Sequence, residues 1–347
     1  MRNAEFSYLR PGTPKFYFEG ITHAIQDGAR FVNADGEAFM SRYEPDWADE
    51  ADVPRIARAM AMEHQRGRAP VYLDMTAIPD DKREHFIRGK VKWMELFFSK
   101  LSNEARTDMF GLTPYFPQNQ MTKMGIRTGA DCRSDVEGLL AAGLAQAGCA
   151  NHFAGFHIGM CIGTGWKAGE SAVEDVERLP APALDAAEIS ALCEECFRPM
   201  EARAVADSDR LLRDLQAVMF RYDVMLWKRA DRLEQALAQV AALRAEIASL
   251  QAPHTHELVR LKETEAMVLA AEIMLQASIF RTESRLSHFR EDCDSRDDLN
   301  WLAWVDVRER DGVPAPEKTP IPTPIMPVGA ANRSRRRPRR YVDALNS

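Results

Sequence analysis

No uninterrupted apolar run in this 347-residue chain approaches the roughly 18 residues that a membrane-spanning helix requires. The opening residues, Met1 to Phe6, lack the apolar stretch of a secretory signal, so a cytoplasmic location is the expectation. Cysteine is scarce, with six residues at 132, 149, 161, 193, 196 and 293. They include one C-x-x-C, Cys193 to Cys196, with no second C-x-x-C and no H-x-x-H to complete a zinc site. Half of a metal site and a redox pair are the sharper readings; reduced, packed thiols are the plain one, and no metal is expected. Basic residues are not in excess. With 45 Lys+Arg against 52 Asp+Glu the formal net charge is −7, which argues against general nucleic-acid binding. Also absent is any G-x-G-x-x-G turn between a strand and a helix, the usual cradle for a dinucleotide pyrophosphate; Gly163-Thr-Gly165 is too short for one.

What is abundant is glycine, in one place. Eight of the 19 glycines fall between Gly138 and Gly169. This segment begins with a short apolar run, Leu139 to Ala142, turns at Gly143, crosses a small-residue loop and becomes apolar again from Ile158. Glycines this dense let backbone approach backbone or a flat ligand closely. Two readings stand: a strand, loop and helix start set against a cofactor, or a tightly packed helix in an ordinary core.

Around this segment the two halves of the chain differ. In the first, short apolar runs flank Asn33-Ala-Asp-Gly36 and predict a hairpin from Ala29 to Met40. An amphipathic helix is expected from Val53 to Arg66, a strand from Val71 to Thr76, a helix from Asp80 to Ser102, and a Pro/Gln/Met-rich loop from Thr113 to Thr128. The proline-punctuated stretch Leu179 to Leu184 reads as a linker. Beyond it, 186–200, 206–220, 229–250 and 256–283 carry apolar residues at three- and four-residue spacing, which predicts antiparallel helices around one core. A coiled-coil dimer through 229–250 is the alternative, cut short by Pro253. After Arg310 a proline tract is expected to be extended, and a tail with six arginines between Arg333 and Arg340 is expected to be disordered.

Several stretches, in order, resemble the flavoprotein subunits of succinate dehydrogenase and fumarate reductase. Phe31 to Met40 followed by Arg42-Tyr43-Glu44-Pro45 is similar to that family's L-V-N-x-x-G-E-R-F-M hairpin and R-Y-x-P. Val71 to Thr76 resembles V-Y-L-D-L-T, and Gly138 to Gly143 resembles G-L-Y-A-A-G. Without a gap, Asn151 to Gly169 resembles N-R-L-G-G-N-S-L and the apolar helix ending in G-R-A-A-G. The most specific match is Arg281 to Asp292 with Arg296 to Trp301, close to R-x-E-S-R-x-x-H-x-R-E-D and R-D-D-x-N-W. Charges so dense between a helix and a strand are expected to form a structural network joining domains.

The resemblance implies an FAD-dependent oxidoreductase working by two-electron transfer at flavin N5, on an α+β fold. That fold would be a partial FAD-binding domain with a capping domain, followed by an antiparallel helical bundle. The implied divisions are a lead-in strand (1–15), a capping domain (16–128), a return segment of the flavin domain (129–180), the bundle (186–285), an extension (286–312) and a disordered tail (313–347). Gly143, Asn151, His157 and Ile158 would contact the flavin, the last two at its pyrimidine end. The family's substrate-handling positions carry Arg10, Val53, Gln120 and His152 here, so His152 is the candidate for substrate binding or proton transfer, with Arg10 and Gln120 behind it. A proton-delivering arginine read as Val53 makes succinate and fumarate poor substrates. The missing nucleotide-binding unit implies a separately encoded partner chain, and the family implies an iron–sulfur subunit that could hold the chain to the inner face of a membrane. A non-catalytic remnant and an adenylylsulfate reductase-like flavoprotein are the alternatives.

Overall fold

The computed structural model describes residues 1–13, 20–86, 110–147, 156–181, 183–200 and 207–322. In chain order the elements are β1 (Ser7–Gly12), α1 (Ile21–Gln26), β2 (Arg30–Val32), α2 (Met40–Tyr43), α3 (Val53–Gln65), β3 (Val71–Asp74), α4 (Asp80–His85) and β4 (Leu112–Thr122). After them come α5 (Phe156–Arg178), α6 (Ala186–Phe197), α7 (Ser208–Met219), α8 (Tyr222–Met225), α9 (Ala230–Ile247), α10 (Thr255–Phe280), α11 (Asp298–Trp301), β5 (Ala303–Arg310) and β6 (Val313–Pro320). The result is mixed helix and strand.

The first sheet is antiparallel, in the order β1-β4-β3-β2. Its central strand corrects the sequence reading, for the region expected to be a loop from Thr113 holds the 11-residue β4. Pro114 and Pro117 suggested a loop, yet among the described residues each half of β4 has a single neighbour: Leu112–Tyr115 pairs with β3 and Phe116–Thr122 with β1. A strand with one free edge tolerates a residue that has no N–H. The hairpin expected from Ala29 to Met40 is reduced to one bridge, Val32 to Ala38, while β2 pairs with β3.

Helix α3 holds the two main cores together. Ile56, Ala59 and Met60 pack with Phe31, Phe39, Leu73 and Phe86. The small side chains Ala57 and Ala61 face a second cluster built from α7 to α10, which includes Leu215, Trp227, Leu233, Val240, Leu261 and Leu275. The periodic stretches expected to form helices do so here, since an apolar stripe recurring each turn must find a partner face. The exception is α6, which has no buried residue and stands outside this core. Its Cys193 and Cys196 are exposed, and among the described residues no cluster of three His, Cys, Asp or Glu side chains is arranged to hold a metal.

The tail also begins later than expected. Val313–Pro320 is not disordered but forms β6 against β5, across an Asp311–Gly312 turn with φ of 53° and 79°. Pro314, Pro316 and Pro320 share one parity, so their missing N–H groups fall along one edge of the strand. Residues 323–347, with the arginine run, lie outside the described residues, as does most of the helix expected from Asp80 to Ser102.

The hairpin motif has a structural purpose. Asn33, Arg42, Tyr43 and Arg68 converge on the carboxylate of Glu63, which is fully buried on α3. Arg68 donates to both carboxylate oxygens, at 2.7 and 2.6 Å. Burial pushes the Glu63 carboxyl up, but the hydrogen bonds from Arg68, Tyr43 and Asn33 outweigh it and hold the group at about 2. A carboxyl held below its unfolded value stabilises the fold above that value and loses the contribution as pH falls through the folded one. Stability is therefore expected to drop between about 4.5 and about 2. Glu63→Gln should flatten that part of a melting-temperature profile and cost about 1–3 kcal/mol at neutral pH, less than a wholly buried pair because the arginines reach solvent. An unchanged profile would show that Glu63 does not control the acid limb.

Candidate functional site

Three backbone segments meet where β4 ends. Gly125 exchanges hydrogen bonds with Arg2, at 2.9 and 3.2 Å, and Ile126 pairs with Ala145 and Ala147, at 2.8 and 2.9 Å. A Cβ on Gly125 would overlap the Gln146–Ala147 peptide, so only glycine permits this approach. Gly143 has φ +60°, donates its N–H to Thr164 Oγ1 at 2.8 Å, and would bring a Cβ to 3.2 Å from Cys161 Sγ. Thr164 in turn donates to Met160 O at 2.6 Å. The turn after Ala142 is thereby fastened to α5.

At the start of α5 the Lys123 ammonium lies 2.9 Å from His157 Nε2. Lys123 is buried beside the Tyr8 ring, and its own N–H donates to Phe6 O. An ammonium only donates, so Nε2 accepts and the neutral imidazole carries its proton on Nδ1. Burial, then the Lys123 charge, push His157 below its ordinary value. The cluster thus combines a buried cation, a neutral histidine and the N-terminus of a 23-residue helix, all favouring negative charge.

The sequence-derived residues divide as follows. Gly143 and His157 are brought to this junction, and Ile158 follows on α5 with its side chain 70% exposed. Asn151 and His152 lie outside the described residues. Arg10 is buried in β1, its Nε donating to Pro11 O at 3.3 Å. Gln120 occupies β4 where the register with β1 shifts between Tyr8 and Leu9, a bulge of the kind that re-aims a strand. Lys123 was not among the expected residues; a single lysine between Thr122 and Met124 carries no local signal, and only the fold sets it against a residue 34 positions away.

Two expectations for the glycine segment are corrected. Leu139 to Ala142 does not form a strand, since Ala141 and Leu139 bond back to Cys132 and Ser134 within the same loop and one bridge, Arg133 to Leu140, remains. Arg133 ties this loop to α5 through Asp175 and Glu174, at 3.0 and 2.9 Å. Nor does α5 sit in an ordinary core. Among the described residues, Cβ atoms at Gly159, Gly163, Gly165 and Gly169 would meet nothing within 4 Å, and Ile158, Ile162 and Trp166 are exposed along one face.

A second charged cluster forms from the R-x-E-S-R-x-x-H motif. Arg281, 1% exposed, bonds Glu5 and Glu283 at 2.8 Å each and donates to the carbonyls of Trp301 and Ala303. Lys228 reaches Glu5 O, Ser278 Oγ and His288 Nδ1, while Arg290 caps the last carbonyls of α10. These side chains join the segment before β1, the end of α10 and the loop leading to β5, the structural role expected from their density.

Two family profiles match the chain, "FAD binding domain" over residues 13–157 and "Fumarate reductase flavoprotein C-term" over 212–332. A fumarate reductase (CoM/CoB) of Methanothermobacter marburgensis contains one polypeptide that is 27% identical over 286 residues, 78% of this chain and 50% of its own length. L-aspartate oxidase 1 of Ralstonia nicotianae is 29% identical over 280 residues, 78% of this chain and 49% of its own. Among solved structures, a chain of E. coli quinol fumarate reductase superposes with a TM-score of 0.81 at 19% identity, covering 94% of this chain and 60% of that one. The chain spans about half the length of the curated relatives it matches.

Proposed function

Because this chain belongs to the succinate dehydrogenase/fumarate reductase flavoprotein superfamily, we propose that it supplies the capping, flavin-return and C-terminal helical parts of an FAD-dependent oxidoreductase. The capping part would comprise 16–128, the return segment 129–180 and the bundle 186–285. The start of α5 carries this reading: the FAD-binding match ends at residue 157, where Lys123 and His157 meet the positive end of the helix. That donor set fits the electron-rich pyrimidine edge of a flavin, and the Gly143 turn fits a close backbone approach. Bound FAD would supply two-electron chemistry at its N5. Lys123 would hold a fixed positive charge away from water, with His157 beside it as a neutral imidazole. Asn151 would share the flavin contact and His152 the substrate. Val53, the first residue of α3, has no proton to deliver at the position where the resemblance puts an arginine, which supports a substrate other than succinate or fumarate.

A separately supplied nucleotide-binding chain and an iron–sulfur electron-transfer subunit are the two partner classes that fit this reading. Among the described residues no helix is long and apolar enough to cross a membrane. The test is FAD titration of the chain by itself and of the chain co-produced with a nucleotide-binding unit supplied as a separate polypeptide. The expected result is weak binding alone and a yellow complex bleached by dithionite together. A folded complex that takes up no flavin would overturn the enzyme reading in favour of a non-catalytic scaffold.

A further inference from the structure

Away from the start of α5, a cavity of about 550 Å³ lies between the first turns of α3 and the loop from Ser284 to Phe289. Four arginines line it, together with the carboxylates of Glu44, Glu50, Asp52 and Asp294. Three are matched by carboxylates: Arg55 with Glu44 at 2.6 Å, Arg285 with Glu283 and Asp298 at 2.6 and 2.7 Å, and Arg296 with Asp298 at 2.7 Å. Arg58 is different. Its guanidinium carbon lies 3.3 Å from the centroid of the Phe289 ring, and among the described residues no hydrogen bond or ion pair reaches its N–H groups. Stacking on the ring fixes the plane of the guanidinium and leaves its edge, with the donor fork, for another group.

A second donor faces the same space. The Ser287 hydroxyl, on a residue only 4% exposed, accepts the Ser7 N–H at 3.0 Å, and among the described residues its own hydrogen has no acceptor. The first turn of α3 also lines the cavity, with the Asp52 carboxylate at the cap position opposing the positive end of that helix. Burial lowers Arg58 first, and the carboxylates of Glu44, Asp294 and Glu291 oppose that shift from a distance without bonding its N–H groups. A charged hydrogen-bonding group without a protein partner in a partly buried cavity costs more than one that is matched, so an acceptor at the Arg58 fork would offset part of that cost.

We propose that this cavity is a binding site for a small organic oxyanion, a carboxylate or a phosphate, held by the Arg58 fork with the Ser287 hydroxyl as second donor. Its volume falls within the range of small-ligand pockets. It shares no side chain with the Lys123–His157 cluster, although Val53 on the first turn of α3 lines it too, and a titration without flavin tests it apart from the flavin reading. Because Arg58 belongs to α3 and Ser287 to the loop after α10, an occupant joins the two parts of the chain that contribute them.

The test is calorimetric titration of the full chain, without added flavin and at low ionic strength, with malonate and with inorganic phosphate as separate probes. Saturable one-to-one binding is expected, weakened about tenfold to hundredfold in Arg58→Gln. Ser287→Ala should weaken it by less, and Arg55→Gln, whose guanidinium is already matched by Glu44, should leave it within about twofold. Binding of malonate alone assigns the carboxylate class, and binding of phosphate alone the phosphate class. Should Arg58→Gln fail to fold, Arg58→Lys keeps the charge but loses the fork, and is expected to bind more weakly than the parent. No saturable binding of either probe to the folded chain, or binding untouched by substitution at Arg58, overturns the proposal.

Discussion

Replacing Arg281 by alanine is expected to lower the unfolding free energy by about 3–5 kcal/mol, the usual cost of removing one partner from a buried ion pair. The side chain is 1% exposed, and its loss would leave the carboxylates of Glu5 and Glu283, both buried, without their shared cation. The carbonyls of Trp301 and Ala303 would lose a donor at the same time. Against a domain stability of about 5–15 kcal/mol this is a large fraction. The effect should be cooperative across the chain, because Glu5 precedes β1, Arg281 follows α10 and Ala303 opens β5. Arg281→Lys should recover part of the loss, keeping the charge but not the fork. Urea unfolding followed by circular dichroism measures both, and a loss below about 1 kcal/mol for Arg281→Ala would mean the cluster is dispensable.

Lys123→Met is expected to have the largest effect on the chemistry. In a preparation that carries flavin, the substitution removes a buried positive charge from the start of α5 while keeping the length of the side chain. A hydrogen bond to a charged group contributes about 1.5–3 kcal/mol. If that contribution favours the reduced, more electron-rich state, its loss should move the midpoint potential about 30–60 mV more negative, at about 30 mV per 1.4 kcal/mol for a two-electron couple. Lys123→Arg should restore most of the shift. A readout without flavin accompanies it: His157 is held down first by burial and then by the Lys123 charge, so its titration should move upward in Lys123→Met and stay below the ordinary value. A potential shifted by less than about 10 mV, with His157 moved as expected, would place Lys123 outside the flavin's reach.

The sequence by itself determined those parts of the molecule whose signal is local. The apolar residues of α3, α7, α9 and α10 repeat at the helical period, and a stripe with that period can be buried only as a helix, so these elements were legible one by one. The order of the family-like motifs was legible for the same reason, each being a short run of side chains. The central strand was not, because Pro114 and Pro117 argue against a strand until it is known that each half of β4 has one neighbour. The prolines of β6 misled in the same way, being compatible with a strand only along a free edge. The meeting of Asn33, Arg42, Tyr43 and Arg68 on Glu63, the closure of Arg281 on Glu5 across 276 positions, and the Lys123–His157 contact were decided by tertiary structure alone. Periodicity records which face of an element is apolar, but the partner of a single charged side chain is fixed only when the chain folds back, and a lone lysine or arginine has no period from which that partner could be read.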